Sequence, residues 1–173
     1  MLTAFKEELK RLAVDPLDPF HQRIRDRIGK RATLVVEKRL KQLILIMPGL
    51  VRSIRAQWEA SKAGSEIKKL GGFMFIYLYQ PKDFLPEDEH GLFGYLDDAY
   101  LVAIVYEKVV RAAEHAGAAL GEDDEAYMKQ IQTSKRYVKA VIPKETKKIE
   151  EMVEKAIKSG EYRDFAEAIS SAA

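Results

Sequence analysis

Residues 71–110 read GGFMFIYLYQPKDFLPEDEHGLFGYLDDAYLVAIVYEKVV. Seven apolar residues run from Phe73 to Tyr79 and eight more from Ala99 to Tyr106, with Val109, Val110, Ala112 and Ala113 behind them. Neither block keeps a polar stripe for water, and a helix that is apolar all round belongs in a core. The spacing predicts a helix over 66–79, a hinge over 80–96 and a helix over 97–116, folded back on each other. Ser65 and Glu66 suit a helix start. Pro81 disfavours helical geometry at Gln80 and ends the first rod. Asp97 and Asp98 fall where free backbone N–H groups and the positive end of the dipole welcome a carboxylate.

Working outward, residues 2–13 place Leu2, Phe5, Leu9 and Leu12 on one helical face. The run VDPLDPF breaks that helix, and Asp18 followed by Pro19 starts the next, with Phe20, Ile24 and Ile28 aligned and Gly29 as its stop. Lys30 to Met47 reads as a helix, Pro48-Gly49 as an interruption, and Leu50 to Lys62 as a further helix with Leu50, Ile54 and Trp58 in phase. Trp58 is expected to anchor the core or its edge. Beyond the hairpin, residues 122–126 (EDDEA) suit a helix N-terminus. Tyr127, Met128, Ile131, Ser134, Val138 and Val141 continue at spacings of three and four. Pro143 closes that helix, and Thr146 to Lys158 forms another, with a C-cap at Ser159-Gly160. Asp164 caps a last short helix through Ala172. The expected fold class is all-α: a helical bundle of seven to nine helices around the central hairpin. Residues 1–120 make a helical domain, and 121–173 a helical C-terminal extension on the same core.

At 173 residues the chain can bury a sizeable core. It has no cysteine, which excludes disulfides, thiol catalysis and cysteine-held zinc. His21, His90 and His115 show no ligand spacing. No secretory signal is visible and no apolar run approaches the ~18 residues of a membrane span, so a cytoplasmic protein without a transmembrane segment is expected. Charge is uneven. Residues 1–69 carry 16 Lys and Arg against 8 Asp and Glu, a net of +8; residues 80–127 carry 3 against 12, a net of −9. Such asymmetry suits either internal pairing or a basic face for an anionic partner. The run RIRDRIGKR at 23–31 packs five basic residues into nine positions, as a phosphate-binding helix would, but it lacks interleaved aromatics and contains Asp26. A solvated face is the expectation.

Tyr79, Pro81, Asp83, Phe84, Leu85 and Pro86, then Gly94, Tyr95, Leu96, Asp97, Asp98 and Ala99, resemble the YkvA-type family of bacterial and archaeal domains. That pattern is P-x-D, two hydrophobic residues and P, then G-Y-hydrophobic-D-D. Pro81, Asp83, Pro86, Gly94, Asp97 and Asp98 fall on it. The gap EDEHGLF lacks a further proline that the family carries. The resemblance implies a domain of unknown function, some of whose relatives associate with membranes. Asp83, Asp97 and Asp98, with Glu87, Asp88, Glu89 and His90, are also the oxygen-rich set a divalent cation such as Mg²⁺ or Ca²⁺ wants. The same acids serve as turn and helix caps, and architecture is the expected role.

The tail from Val138 to Ile169 resembles the ribbon-helix-helix family of DNA-binding proteins. There a short strand at 136–142 would bury Val138, Ala140 and Ile142 and present Tyr137, Lys139 and Val141 to the major groove. Pro143 would open its first helix, Gly160 and Tyr162 would form the turn, and Asp164 and Glu167 would start its second. The same residues fit a helix. Nothing forms a nucleophile–base pair or a phosphate loop. The expected function is therefore a non-enzymatic interaction or assembly module, binding a protein partner or a second copy, with peripheral contact to a membrane surface as part of that reading. A DNA-binding regulator through Tyr137 and Lys139, and a divalent-cation protein through Asp83, Asp97 and Asp98, stand as alternatives.

Overall fold

A computed structural model describes residues 2–59, 64–79, 84–117 and 122–158. Seven helices of nine or more residues build the described bundle, and no strand occurs among these residues. They are α1 (Leu2–Val14), α2 (Phe20–Ile28), α3 (Leu34–Glu59), α4 (Ser65–Leu78), α6 (Leu96–His115), α7 (Glu122–Val141) and α8 (Pro143–Lys158), with the single turn α5 (Glu87–His90) between α4 and α6. None is long and apolar enough to cross a membrane.

The axis of the bundle is α6. Fifteen of its 20 residues are buried, and its exposed residues are confined to its C-terminal end. It packs against α3, α4, α7 and α8, and α3 covers it more extensively than its hairpin partner α4 does. The hairpin is therefore one half of the core rather than the whole of it. The other rod is less enclosed than its composition predicts: Phe75, Ile76 and Leu78 of α4 are half-buried. The buried faces of α7 (Ile131, Val138, Val141) and α8 (Ile149, Met152, Val153) join the same apolar cluster.

The interruption expected at Pro48-Gly49 does not occur, and α3 runs unbroken for 26 residues with Pro48 inside it. A mid-helix proline costs about 3 kcal/mol. Leu43, Ile44, Met47, Leu50, Val51 and Ile54 are all buried along this helix, and each such side chain contributes about 1.5–3 kcal/mol. Packing thus outweighs the broken hydrogen bond. Gly49 has a packing reason: a Cβ there would run into the Tyr127 hydroxyl of α7. Trp58 packs near the end of the same helix, against the Gly71 backbone and 5.5 Å from the Phe75 ring. The N-terminus of α3 also differs from expectation. Gly29–Arg31 is a 3-10 turn, and α3 begins at Leu34, with the Thr33 hydroxyl accepting the Val36 N–H. Pro143 does not merely end α7 but opens α8, where its missing N–H costs nothing.

Candidate functional site

Where the two rods meet, Asp97 is fully buried in the first turn of α6. Its Oδ2 accepts the Tyr77 hydroxyl from the end of α4 at 3.2 Å and the Phe84 N–H of the hinge at 3.2 Å. The carboxylate expected to cap its own helix therefore acts across the hairpin. Asp98 is buried beside it.

After the hinge the chain makes α5 and a 3-10 segment, Gly91–Tyr95, before α6. Gly94 in this segment lies on backbone: a Cβ would sit 2.6 Å from Glu87 Cα and 3.0 Å from the Leu85 carbonyl oxygen. Gly91 has φ 58°, in the left-handed region that favours glycine. Asp18 ties this region to the start of α2. The N-cap of α2 is Pro19 rather than Asp18, one residue later than the sequence predicts; one Asp18 oxygen accepts the Phe20 N–H at 2.9 Å, and the other accepts the Leu92 N–H at 2.8 Å.

Three further polar seams join helices of the bundle. Tyr100 of α6 donates to Glu150 of α8 at 2.7 Å, and Lys139 of α7 pairs with the same carboxylate oxygen at 2.5 Å. Tyr106 of α6 donates to Asp124 of α7 at 2.5 Å, and Ser53 of α3 donates to the same oxygen at 3.4 Å. Glu107 of α6, nearly closed off from solvent, pairs with Lys135 of α7 at 2.5 Å. Burial, and then the bond to Glu150, push the Tyr100 phenol far above its ordinary pKa and keep it a donor. Burial and Asp124 do the same for Tyr106. Burial alone would raise Glu150, but its bonds from Lys139 and Tyr100 more than offset that and hold it below the ordinary carboxylate value.

Two grooves adjoin these seams. One, of about 550 Å³, is bordered by Gly49, Arg52, Ser53, Asp124 and Tyr127. The other, of about 380 Å³, is bordered by Glu107, Lys108, Arg111, Lys135 and Glu154. Ser53 faces an aspartate with no histidine among the groove's lining residues, which is not a nucleophile–base arrangement. In the second groove Lys108–Glu154 and Lys135–Glu107 already pair with each other.

The family-motif residues divide as follows. Gly94, Asp97 and Asp98 are buried, Pro86 is exposed at the start of α5, and Pro81 and Asp83 lie outside the described residues. Among the described residues no three His, Asp or Glu side chains come together as ligands for a metal ion. The strand considered for 136–142 is not formed. Residues through 141 belong to α7, because Ile131, Ser134, Val138 and Val141 are buried at helical spacing while Ala140, which a ribbon would bury, is exposed. Tyr137 is half-buried under Arg136, and Lys139 is engaged by Glu150. Gly160, Tyr162, Asp164 and Glu167 of the proposed tail lie outside the described residues.

The basic run 23–31 is only partly absorbed. Arg23 donates to the Glu89 carbonyl and Arg27 pairs with Glu145. Arg25, Lys30 and Arg31 are exposed and bonded to nothing among the described residues.

Pattern reading missed the pairs Tyr100–Glu150, Tyr106–Asp124 and Glu107–Lys135. A polar residue recurring inside the apolar phase of a helix is the signal they carry, and Tyr100, Tyr106 and Glu107 break into the apolar run of α6 in that way. No protein-family model, no curated protein and no solved structure matches the chain.

Proposed function

We propose that the chain is a non-enzymatic docking module, whose internal acids and hydroxyls hold helices in register and whose free chemistry lies on its surface. The observation that carries this reading is the use made of the acids between the helices. Asp97 closes the α4–α6 hairpin, Asp124 and Glu150 receive tyrosine hydroxyls from α6, and Glu107 pairs with a lysine of α7. Each of these four carboxylates is bonded to a neighbouring helix or to the hinge, which supports an architectural use. The YkvA-type resemblance is compatible with such a role, since Gly94 and Asp97 of its motif meet structural needs of the hinge.

The test is thermal unfolding of the wild type and Asp97→Asn, each with EDTA and with Mg²⁺ or Ca²⁺. The reading expects Asp97→Asn to lower Tm by the same amount in all three conditions. A cation-dependent rise in the wild-type Tm that Asp97→Asn abolishes would make the hinge a metal site and overturn the architectural assignment.

A further inference from the structure

Exposed aliphatic side chains on this molecule are not scattered. Among the described residues the large hydrophobic side chains left most exposed are Leu17 (89%), Val14 (81%), Leu34 (80%), Tyr79 (70%) and Val35 (58%). Four of these five belong to two neighbouring segments, the α1–α2 turn and the first turn of α3. Lys41 of α3 binds the Ala13 carbonyl at 3.1 Å, and His21 at the start of α2 meets Glu37 of α3 at 2.9 Å, which fixes the turn beside α3. Leu34 lies seven residues, two turns, before Lys41, on the same stripe of that helix.

Asp15 and Asp18 accompany Val14 and Leu17, but around Leu34 and Val35 the charge is positive and uncommitted. Lys30 and Arg31 precede Leu34 by four and three residues, and Lys38 follows it by one turn. All three are exposed and bonded to nothing among the described residues. The one acid on this stretch of α3, Glu37, is already held by His21 and Lys41.

From this juxtaposition we propose that the α2–α3 turn docks onto an anionic phospholipid surface, with Leu34 and Val35 entering the headgroup boundary and Lys30, Arg31 and Lys38 meeting lipid phosphates and carboxylates. This rests on the docking reading above and names its partner. Size decides between occupants. A stable protein–protein interface takes roughly 800 Å² from each partner, with aromatic anchors in a packed centre, and four isolated aliphatic tips fall short of that. A bilayer needs no complementary pocket: it accepts separate apolar tips and rewards each nearby cation. A nucleic acid backbone would use the cations but leave the aliphatics in water.

The experiment is co-sedimentation of the full chain with vesicles of neutral lipid and of the same lipid mixed with phosphatidylserine, over a salt series, alongside binding to a short DNA duplex. Two variants are compared with the wild type: Lys30→Gln with Arg31→Gln, and Leu34→Ser with Val35→Ser. All four positions are exposed, and circular dichroism checks that both variants fold. The expected result is sedimentation with anionic vesicles alone, weakening as salt rises, about 30-fold weaker after loss of the two cations and about tenfold weaker after loss of the two aliphatics. No sedimentation, or sedimentation that neither variant weakens, overturns the proposal. Duplex binding that needs the cations but not the aliphatics also overturns it, in favour of a phosphate backbone. The Asp97→Asn melts contain no lipid, so the two failures are distinct. Indifference to vesicles removes the membrane partner alone, whereas a cation-dependent Asp97 effect removes the docking reading itself.

Discussion

Gly94→Ala tests the hinge most directly, because two opposite effects compete there and the geometry says which wins. Gly94 lies in a 3-10 segment and does not have a positive φ. On backbone grounds alanine is therefore acceptable, and it would stabilise by about 0.4–1 kcal/mol through lower entropy of the unfolded chain. Against this, the new methyl carbon would sit 2.6 Å from Glu87 Cα, 2.9 Å from Glu87 N and 3.0 Å from the Leu85 oxygen. All three are backbone atoms, so no side chain can swing away, and the turn that carries α5 must separate from the segment before α6. Overpacking of this kind costs about 1–3 kcal/mol, with the rigid case at the upper end. The net expectation is a loss of about 2 kcal/mol. In a chain of 173 residues each kcal/mol moves Tm by about 2–4 °C, so the melt should fall by about 4–8 °C. Differential scanning calorimetry reads this out, with Gly64→Ala as the control, since a Cβ at Gly64 meets nothing within 4 Å. An unchanged or higher Tm for Gly94→Ala would mean that α5 and the following turn do not pack this way.

The remaining predictions concern the polar seams. Tyr77→Phe removes the hydroxyl that Asp97 accepts and should cost about 1.5–3 kcal/mol by urea denaturation; a loss under about 0.5 kcal/mol would show that the bond is not formed. Lys135→Met leaves the Glu107 carboxylate nearly buried without its cation and should cost about 1–2 kcal/mol, while Glu107→Gln in the same background should recover part of it; strict additivity of the two would refute the pairing. Glu37 and Glu150 both have carboxyl pKa values below the ordinary 4.5, burial being outweighed by His21 and Lys41 in one case and by Lys139 and Tyr100 in the other. A depressed folded pKa adds stability that is complete above the unfolded value and is lost as pH falls through the folded one, so Tm should drop below about pH 4.5. Lys139→Gln should shrink that drop, because it returns the folded pKa of Glu150 towards its unfolded value, and an unaltered acid limb would exclude the Lys139–Glu150 bond.

The class of fold was legible because apolar periodicity reports burial, and α6 is enclosed over nearly its whole length. The break placed at Pro48 was an error of local rules: proline chemistry is written in the sequence, whereas the buried side chains that hold α3 continuous around it become visible only once α6 and α7 are in place. The tail between 136 and 142 failed for a related reason. Val138 and Ile142 suit a strand as well as a helix, and what separates the two readings is Ala140, which is exposed. Alanine is neutral in such patterns and carries no vote. At the hinge, Asp97 was legible as a significant acid, but its partners were not. Tyr77 lies twenty residues away and inside an apolar block, where an aromatic ring signals core packing and its hydroxyl goes unread. Gly94 was legible through its motif alone, since close approach to the Leu85–Glu87 backbone leaves no periodic trace.

These partners show why a core this apolar carries so many acids. Burial of leucine, valine and isoleucine is non-directional, and α6, apolar over most of its circumference, could rotate or slide among α3, α4, α7 and α8 with little loss of buried area. Directional bonds remove that freedom. Asp97 fixes the N-terminal end of α6 against α4 and the hinge, Tyr100 fixes its next turn against α8, and Tyr106 and Glu107 fix its middle against α7. A rotation of about 100°, one residue of the helix, would strip all of these bonds at once and leave two buried carboxylates, Asp97 and Glu107, without their partners, a penalty of several kcal/mol for each uncompensated ion. The apolar surface makes the bundle collapse, and the acids select one arrangement of it. On this reasoning Asp97, Tyr100, Tyr106 and Glu107 set the position of α6, and the proposed docking is to be tested at the exposed cations and aliphatics around the α2–α3 turn.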